Sequence, residues 1–502
     1  MKMHWRLFVI AVCTGWTCAG GGGTLKDEYV LLSPPDHMEA WRGFLERRRV
    51  SHPEMDFVLV NTFEIYNAYP FKGWETNGVT VTEDVRLNAA ESIHEFIRGR
   101  RNDKIRQYFV LGGAWIDAEN GSTYEEHTNA VYQTVDGGRL TLTNAVPGVY
   151  VHANPLPGFA GPAPSDLFYA CLDLTVGGVT HVHPWRPEGA GRYFPPTLTN
   201  SVVDTVPDVV VSRLPFEPWV FGCETVTVAQ AIAAYADKVE AAERKTFAGA
   251  RAYAGIFASG GQDYETLDDP TRTKWGSSYE AAVRYRFRND IEPYESVRRE
   301  HLTGYTNMYV SAAVGAEEFW GRSWELVLSK AHGNPDECIY TGVTRKTFEE
   351  STNLCKVLLF AMTCNTGWPD YETNGYFDEA LQSYICQAEP SLGAAAVMNP
   401  HGGSVTGVHN ARPGFFKSGE LTAEDLATCQ DGPSTEIEGL ILGELMRART
   451  NIGESWRRGI GRYAAPEKEL SEKLILVALQ EMLYGDPLIR INPRQGLMLF
   501  VK

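Results

Sequence analysis

Two apolar runs, each closing on a reactive residue, constrain this chain more than any other feature. Glu325-Leu326-Val327-Leu328-Ser329-Lys330-Ala331 leads into His332-Gly333, and Val357-Leu358-Leu359-Phe360-Ala361-Met362-Thr363 leads into Cys364-Asn365-Thr366-Gly367. Runs of this length with turn residues behind them read as buried parallel strands. Neighbouring parallel strands end at one edge of their sheet, where open α/β sheets place ligands and chemistry. The pair therefore predicts a thiol and an imidazole delivered together to one sheet edge.

The rest of the chain supports an α/β fold class, because short apolar runs alternate with helical patterns. Strands are predicted at Tyr29–Leu32, Phe57–Val60, Tyr108–Leu111, Val209–Val211 and Ala250–Phe257. Helices are predicted at Met38–Arg49, Leu87–Arg100, Val228–Lys245, Phe377–Gln387 and Lys468–Leu483. Leu392–Met398 reads as a further buried strand, followed by His401-Gly402-Gly403. Residues 116–146 break the rhythm, with a hairpin around Asp136-Gly137-Gly138, and prolines cluster from Pro147 to Pro164. The expected organisation is an N-terminal α/β lobe over 24–117, an insertion or linker over 118–150 and a second lobe over 151–493.

Composition excludes some partners. The 502 residues carry a net charge of −17, which argues against nucleic acid. The basic clusters Arg47-Arg48-Arg49 and Arg98 to Lys104 lie in helix-like sequence and read as solvated helix faces. Lys2, His4 and Arg6 precede an apolar stretch from Leu7 to Cys18 that ends on Ala19 and glycines. That is the pattern of a secretory signal over 1–19, with lipidation of Cys18 as the alternative. No other run reaches the length of a membrane span. Outside this segment stand seven cysteines, an odd number, so an exported chain keeps at least one free thiol.

Cys364 is the thiol that chemistry singles out. A thiolate attacks a carbonyl carbon while a nearby histidine takes the thiol proton and returns it to the leaving amine. The resulting oxyanion needs donors, and backbone N–H groups serve well. Glycine after the histidine permits close backbone approach. The N–H groups of Gly333 and Cys364 are the candidate donors, and the 32-residue spacing from His332 to Cys364 allows one connection between adjacent strands.

An apolar block, His-Gly, a spacer, a second apolar block and Cys, in that order, resemble the caspase, legumain and gingipain clan of cysteine peptidases, and most closely the gingipain-type catalytic domain. Tyr340-Thr341-Gly342, Phe377-Asp378-Glu379-Ala380-Leu381 and Gly393-Ala394-Ala395-Ala396-Val397 fall in family order. Ser165-Asp166 with Tyr169, Pro207 to Pro215 around Ser212-Arg213, and Tyr484-Gly485-Asp486-Pro487 resemble further family segments, so the likeness spans about residues 28 to 492. It implies a caspase-like α/β/α sandwich with two side-by-side lobes and an exported endopeptidase cutting protein or peptide substrates. Cys364 matches the nucleophile and His332 the base. Asp208 lies near the place of an acid that supports the histidine, and His401, second to His332 by clan order, is assigned to the substrate cleft.

The chain departs from the family in Ala331-His332-Gly333-Asn334, where Gly-His-Gly-Ser is usual, and in having no recognisable propeptide or following domain. Those departures leave two other readings: a non-catalytic caspase-like binding or assembly module, and a Cys-His acyltransferase or amidase on cell-wall peptides. His181 and His183 with His152 read as surface imidazoles, so no catalytic metal or required cofactor is expected. A structural calcium at Asp263, Glu265, Asp268 and Asp269 is the one ion the family likeness suggests. Nothing in the sequence sets an oligomeric state.

Overall fold

A computed structural model describes residues 25–69, 75–76, 79–80, 85–117, 131–151, 163–176, 179–182, 205–244, 252–258, 294–298, 323–330, 333–338, 343–360, 363–369, 372–378, 383–412, 414, 432–447, 450–464 and 472–491. The expected signal segment and the acidic segment 263–269 lie outside these residues.

Ten strands form one sheet: β1 (Asp27–Ser33), β2 (Met55–Asn61), β3 (Gln107–Leu111), β4 (Val210–Arg213), β5 (Ala252–Ala258), β6 (Tyr294–Arg298), β7 (Trp324–Lys330), β8 (Leu354–Phe360), β9 (Gly403–Asn410) and β10 (Glu481–Gly485). Their spatial order is β6-β5-β7-β8-β9-β10-β4-β3-β1-β2. Every neighbouring pair is parallel except β9 and β10. The sheet thus has two parallel halves running in opposite directions, the side-by-side arrangement expected of the fold. The reversal at β9/β10 does not follow the expected boundary at 118–150, because β4 and β10 come from later sequence yet complete the N-terminal half.

The helices among the described residues are α1 (Met38–Ser51), α2 (Thr62–Ala68), α3 (Val85–Arg100), α4 (Val228–Glu243), α5 (Arg345–Glu350), α6 (Leu392–Met398), α7 (Pro433–Arg447), α8 (Ile452–Tyr463) and α9 (Glu472–Leu479). They cover the sheet on both faces. On β8, Val357 and Leu359 join the large core, while Leu358 and Phe360 join a second cluster with Phe348 of α5 and Leu392 and Ala396 of α6. Two-sided burial is why these strands read as unbroken apolar runs. Burying each such side chain stabilises the fold by about 1.5–3 kcal/mol.

Three sequence expectations are corrected. Leu392–Met398 is a helix, not a strand: Ser391 stands at its N-cap, Ala394-Ala395-Ala396 has the highest helix propensity, and every residue is buried. Phe377–Gln387 holds a hairpin, Glu372–Asp378 against Ser383–Ala388, whose register sets Tyr376 opposite Ile385 and Phe377 opposite Tyr384. Aromatic and β-branched residues favour such pairing. The predicted helix Lys468–Leu483 divides into α9 and β10.

The family-like segments far from Cys364 serve as buried clasps. The Arg213 guanidinium, fully buried, forks onto Asp166 at 2.8 and 2.6 Å and donates to the Val146 carbonyl at 3.0 Å. Tyr169 donates to Pro147 O at 2.7 Å from the same turn. Gly485, at φ +90°, brings β10 against Val405 so closely that a Cβ would lie 2.2 Å from its carbonyl. The next residue, Asp486, is fully buried and pairs with Arg48 at 3.0 Å. Arg48 is therefore not on a solvated face as the basic cluster suggested; it is 1% exposed and also meets Glu243 at 2.6 Å.

His52 completes this group, its Nε2 2.7 Å from Glu243. The Glu243 bond raises the His52 pKa, outweighing burial. Burial would push the Glu243 carboxyl up, but His52 and Arg48 outweigh it and hold it at about 2. A depressed carboxyl stabilises the fold fully above its ordinary value of 4.5 and loses that contribution as pH falls through about 2. A raised imidazole stabilises fully below 6.5 and loses that contribution as pH rises through its folded pKa. Their joint contribution should therefore be greatest between about pH 4.5 and 6.5. Thermal melts should show Glu243→Gln less stable by roughly 1.5–3 kcal/mol at pH 5.5, with a shallower decline between pH 4.5 and 2 than the wild type. Parallel declines would rule this assignment out.

Candidate active site

Strands β7 and β8 are parallel neighbours, with Leu326 opposite Val357 and Leu328 opposite Leu359. Their C-terminal ends therefore meet at one edge, as the two apolar runs predicted. His332 lies outside the described residues. Gly333 and Cys364, which follow the two strands, are in contact: a Cβ on Gly333 would lie 2.5 Å from Cys364 O and 3.2 Å from Cys364 N. No side chain fits there without displacing the backbone of Cys364. This close approach is the physical reason for glycine after the histidine.

Cys364 is half-buried and free. Its Sγ accepts from the Gly414 N–H at 3.1 Å, and the N–H groups of Gly333 and of Cys364 itself also favour the thiolate. Burial pushes the thiol pKa up, and these three donors pull against that rise. The N–H groups of Gly333 and Cys364, the expected oxyanion donors, are thus both near enough to Sγ to lower its pKa, and such donors suit developing negative charge.

The turn carrying Cys364 is fixed from several sides. Asn365 sits at φ 58°, a left-handed conformation that asparagine tolerates better than most residues. Its N–H donates to Arg412 O at 3.4 Å, and the Gly367 N–H donates to Asn410 O at 3.0 Å. Tyr484 donates to Gly367 O at 2.9 Å. The first N–H groups of α6, which a helix cannot satisfy internally, go to both loops: Leu392 to Pro335 O at 2.7 Å and Gly393 to Thr366 O at 2.8 Å. One helix end therefore ties the segment after Gly333 to the segment after Cys364. Beneath them, Thr363 Oγ1 donates toward Ser329 Oγ of β7 at 3.2 Å.

Asn334 has a local task. Its Oδ1 accepts from the N–H groups of Asp336 and Glu337 at 2.8 and 2.9 Å, closing the turn into the small strand at Glu337–Cys338. The departure from the usual family residue thus falls on a turn cap.

Asp208 and His401 are not brought to Cys364. Asp208 precedes β4, four strands from β7, roughly 19 Å at about 4.8 Å per strand. Its carboxylate is engaged elsewhere, by Arg101 at 2.8 Å and by the Leu172 N–H at 2.9 Å. Histidine support is therefore corrected to a structural ion pair. His401 is exposed and precedes β9, level with the start of β8. The length of β8, about 20 Å, separates it from the edge where Cys364 stands, so it does not line that cleft. The helical form of 392–398 is what places it there, since the chain descends along α6 before returning as β9.

Sequence reading missed His409, in β9. It pairs with Phe360 across the sheet and is fully buried, its Nδ1 3.4 Å from Thr366 Oγ1. Its only sequence signal is an imidazole interrupting the apolar-rich stretch Ser404-Val405-Thr406-Gly407-Val408. Among the described residues no group of three or more His, Cys, Asp or Glu is placed to hold a metal ion, and no helix is long and apolar enough to cross a membrane. His152 and His183 lie outside the described residues.

Comparison with known proteins shows the family and the fold. The model of peptidase family C25 matches residues 24–492. The fold is similar to that of the Arg-specific cysteine proteinase gingipain R, with TM-score 0.50 and 12% identity over 93% of this chain and 78% of that one. It is also similar to the complex of pro- and mature domains of Porphyromonas gingivalis RgpB, with TM-score 0.51 and 11% identity over 93% of this chain and 80% of that one. No curated protein matches the chain in sequence.

Proposed function

The chain belongs to peptidase family C25 and is a cysteine-type endopeptidase acting on protein substrates; we propose that it is exported and cuts through an acyl-enzyme on Cys364, with His332 as the base. The observation that carries this reading is the contact of Gly333 with Cys364 at the ends of adjacent parallel strands. His332 is the residue immediately before Gly333 in sequence.

The steps follow from those positions. The imidazole of His332 takes the Cys364 proton, and Sγ attacks the substrate carbonyl carbon, breaking its π bond. The oxyanion is held by the N–H groups of Gly333 and Cys364. The C–N bond then breaks as His332 returns the proton to the leaving amine, and water, activated by the same imidazole, hydrolyses the thioester. Export rests on the basic start, short apolar stretch and small-residue exit of residues 1–19.

Hydrolysis of a peptide mixture tests the assignment. His332→Ala should lower turnover by on the order of 10²–10⁴-fold, the scale of general acid–base catalysis, while His401→Ala stays within about twofold of wild type. If His401→Ala abolishes turnover and His332→Ala does not, the base is misassigned.

A further inference from the structure

The peptide bond between Thr363 and Cys364 carries the Cys364 N–H, which on the reading above is an oxyanion donor. That bond is planar, so fixing the direction of its C=O also fixes the direction of its N–H. Thr366 Oγ1 donates to Thr363 O at 3.2 Å. The single hydroxyl proton of Thr366 is used in that bond, so His409 Nδ1, 3.4 Å from the same oxygen, must carry its own proton and donate. Among the described residues His409 Nε2 has no hydrogen-bond partner, and a neutral ring protonated on Nδ1 requires one least.

The surroundings hold the ring in place. Cβ atoms at Gly367, Gly393 and Gly407 would each fall within 2.6–2.8 Å of His409 atoms, so three glycines clear the space it fills. Phe360 packs edge-on against it at 5.5 Å between centroids, and Tyr484 lies at 5.9 Å. Burial keeps its pKa down at about 3, so the ring is uncharged near neutral pH.

We propose that Thr366 and His409 are positioning residues: the relay from His409 Nδ1–H to Thr366 Oγ1–H to the Thr363 carbonyl orients the Cys364 N–H for the oxyanion. Hydrogen bonds in such a chain polarise one another, which also makes that N–H a better donor. The inference rests on Cys364 being the nucleophile, and its test separates the two claims.

The test compares two reactions of the same sulfur. Acylation by a peptide ester develops an oxyanion; alkylation by iodoacetamide does not. Thr366→Val should slow acylation roughly 10–100-fold, less than outright loss of an oxyanion donor, at unchanged KM for slow substrates. Its iodoacetamide rate should fall by no more than about twofold, because the Cys364 N–H is the weakest of the three donors that lower the thiol pKa. Thr366→Ser, which restores the hydroxyl, should recover acylation to within about threefold. If Thr366→Val does not fold, Thr366→Ala is read in the same way. The proposal is overturned if acylation is unaffected, if alkylation falls in proportion, or if serine does not rescue. A wild type that is alkylated but acylated by no peptide overturns the catalytic reading itself, and the relay with it.

Discussion

Asp166→Ala should destabilise the folded chain by about 3–5 kcal/mol, the largest stability loss expected from any single carboxylate removed here. The reason is what the substitution leaves behind. Arg213 is fully buried, and without Asp166 its charge would face only the Val146 and Pro147 carbonyls, the latter at a long 3.4 Å. Burial works against the charged guanidinium, and the Asp166 carboxylate is what offsets it. The clasp joins the turn at Leu167–Tyr169 to the end of β4, so its failure should loosen the N-terminal half of the sheet first. Replacing both partners, Asp166→Leu with Arg213→Met, should recover part of the loss, because no unpaired charge remains. Urea titration of the two single variants and the double variant checks this. A loss below about 1 kcal/mol for Asp166→Ala would mean that the guanidinium finds solvent or another partner.

Gly333→Ala should lower kcat/KM by on the order of 10²–10³-fold, comparable with removing one oxyanion donor. The added methyl would meet Cys364 O and Thr363 Cγ2, both at 2.5 Å. Neither can retreat easily: Cys364 O is backbone, and Thr363 is fully buried with its hydroxyl against Ser329. The strand ends must therefore separate, which moves the Gly333 N–H away from Cys364. Overpacking of this kind costs about 1–3 kcal/mol, so the variant should still fold. A folded variant with wild-type turnover would show that the contact is incidental to catalysis.

Much of the fold and part of the site were legible in the sequence, and the failures have physical causes. β7 and β8 were readable because Leu326 to Leu328 and Val357 to Phe360 are buried on both faces and followed by glycine-containing turns. α1 and α4 were readable from their helical patterns, and the structure adds a capping box of Thr227 and Gln230 at the start of α4. Leu392–Met398 was not, since a seven-residue apolar run has no informative period, and Ser391 with the alanine run was the signal that should have decided it. β10 was absorbed into a helix because no glycine or proline interrupts Ala478 to Tyr484. Cys364 and Gly333 could be nominated because strand ends and glycine mark the place where chains approach. Asp208 was misjudged because its partner, Arg101, lies 107 residues away in sequence and gives no local sign. Thr366 and His409 escaped for the same reason, meeting across 43 residues only once β8 and β9 pair.

The central claim is that the sulfur of Cys364 forms the covalent intermediate. Its most direct test is mass spectrometry of the folded chain after reaction with a thiol-directed peptidyl ketone, in wild type and in Cys364→Ala. The account predicts one adduct, on Cys364, and loss of both adduct and peptide hydrolysis in the variant, by on the order of 10⁴-fold or more. An adduct confined to the exposed Cys223, or hydrolysis that survives in Cys364→Ala, would contradict it.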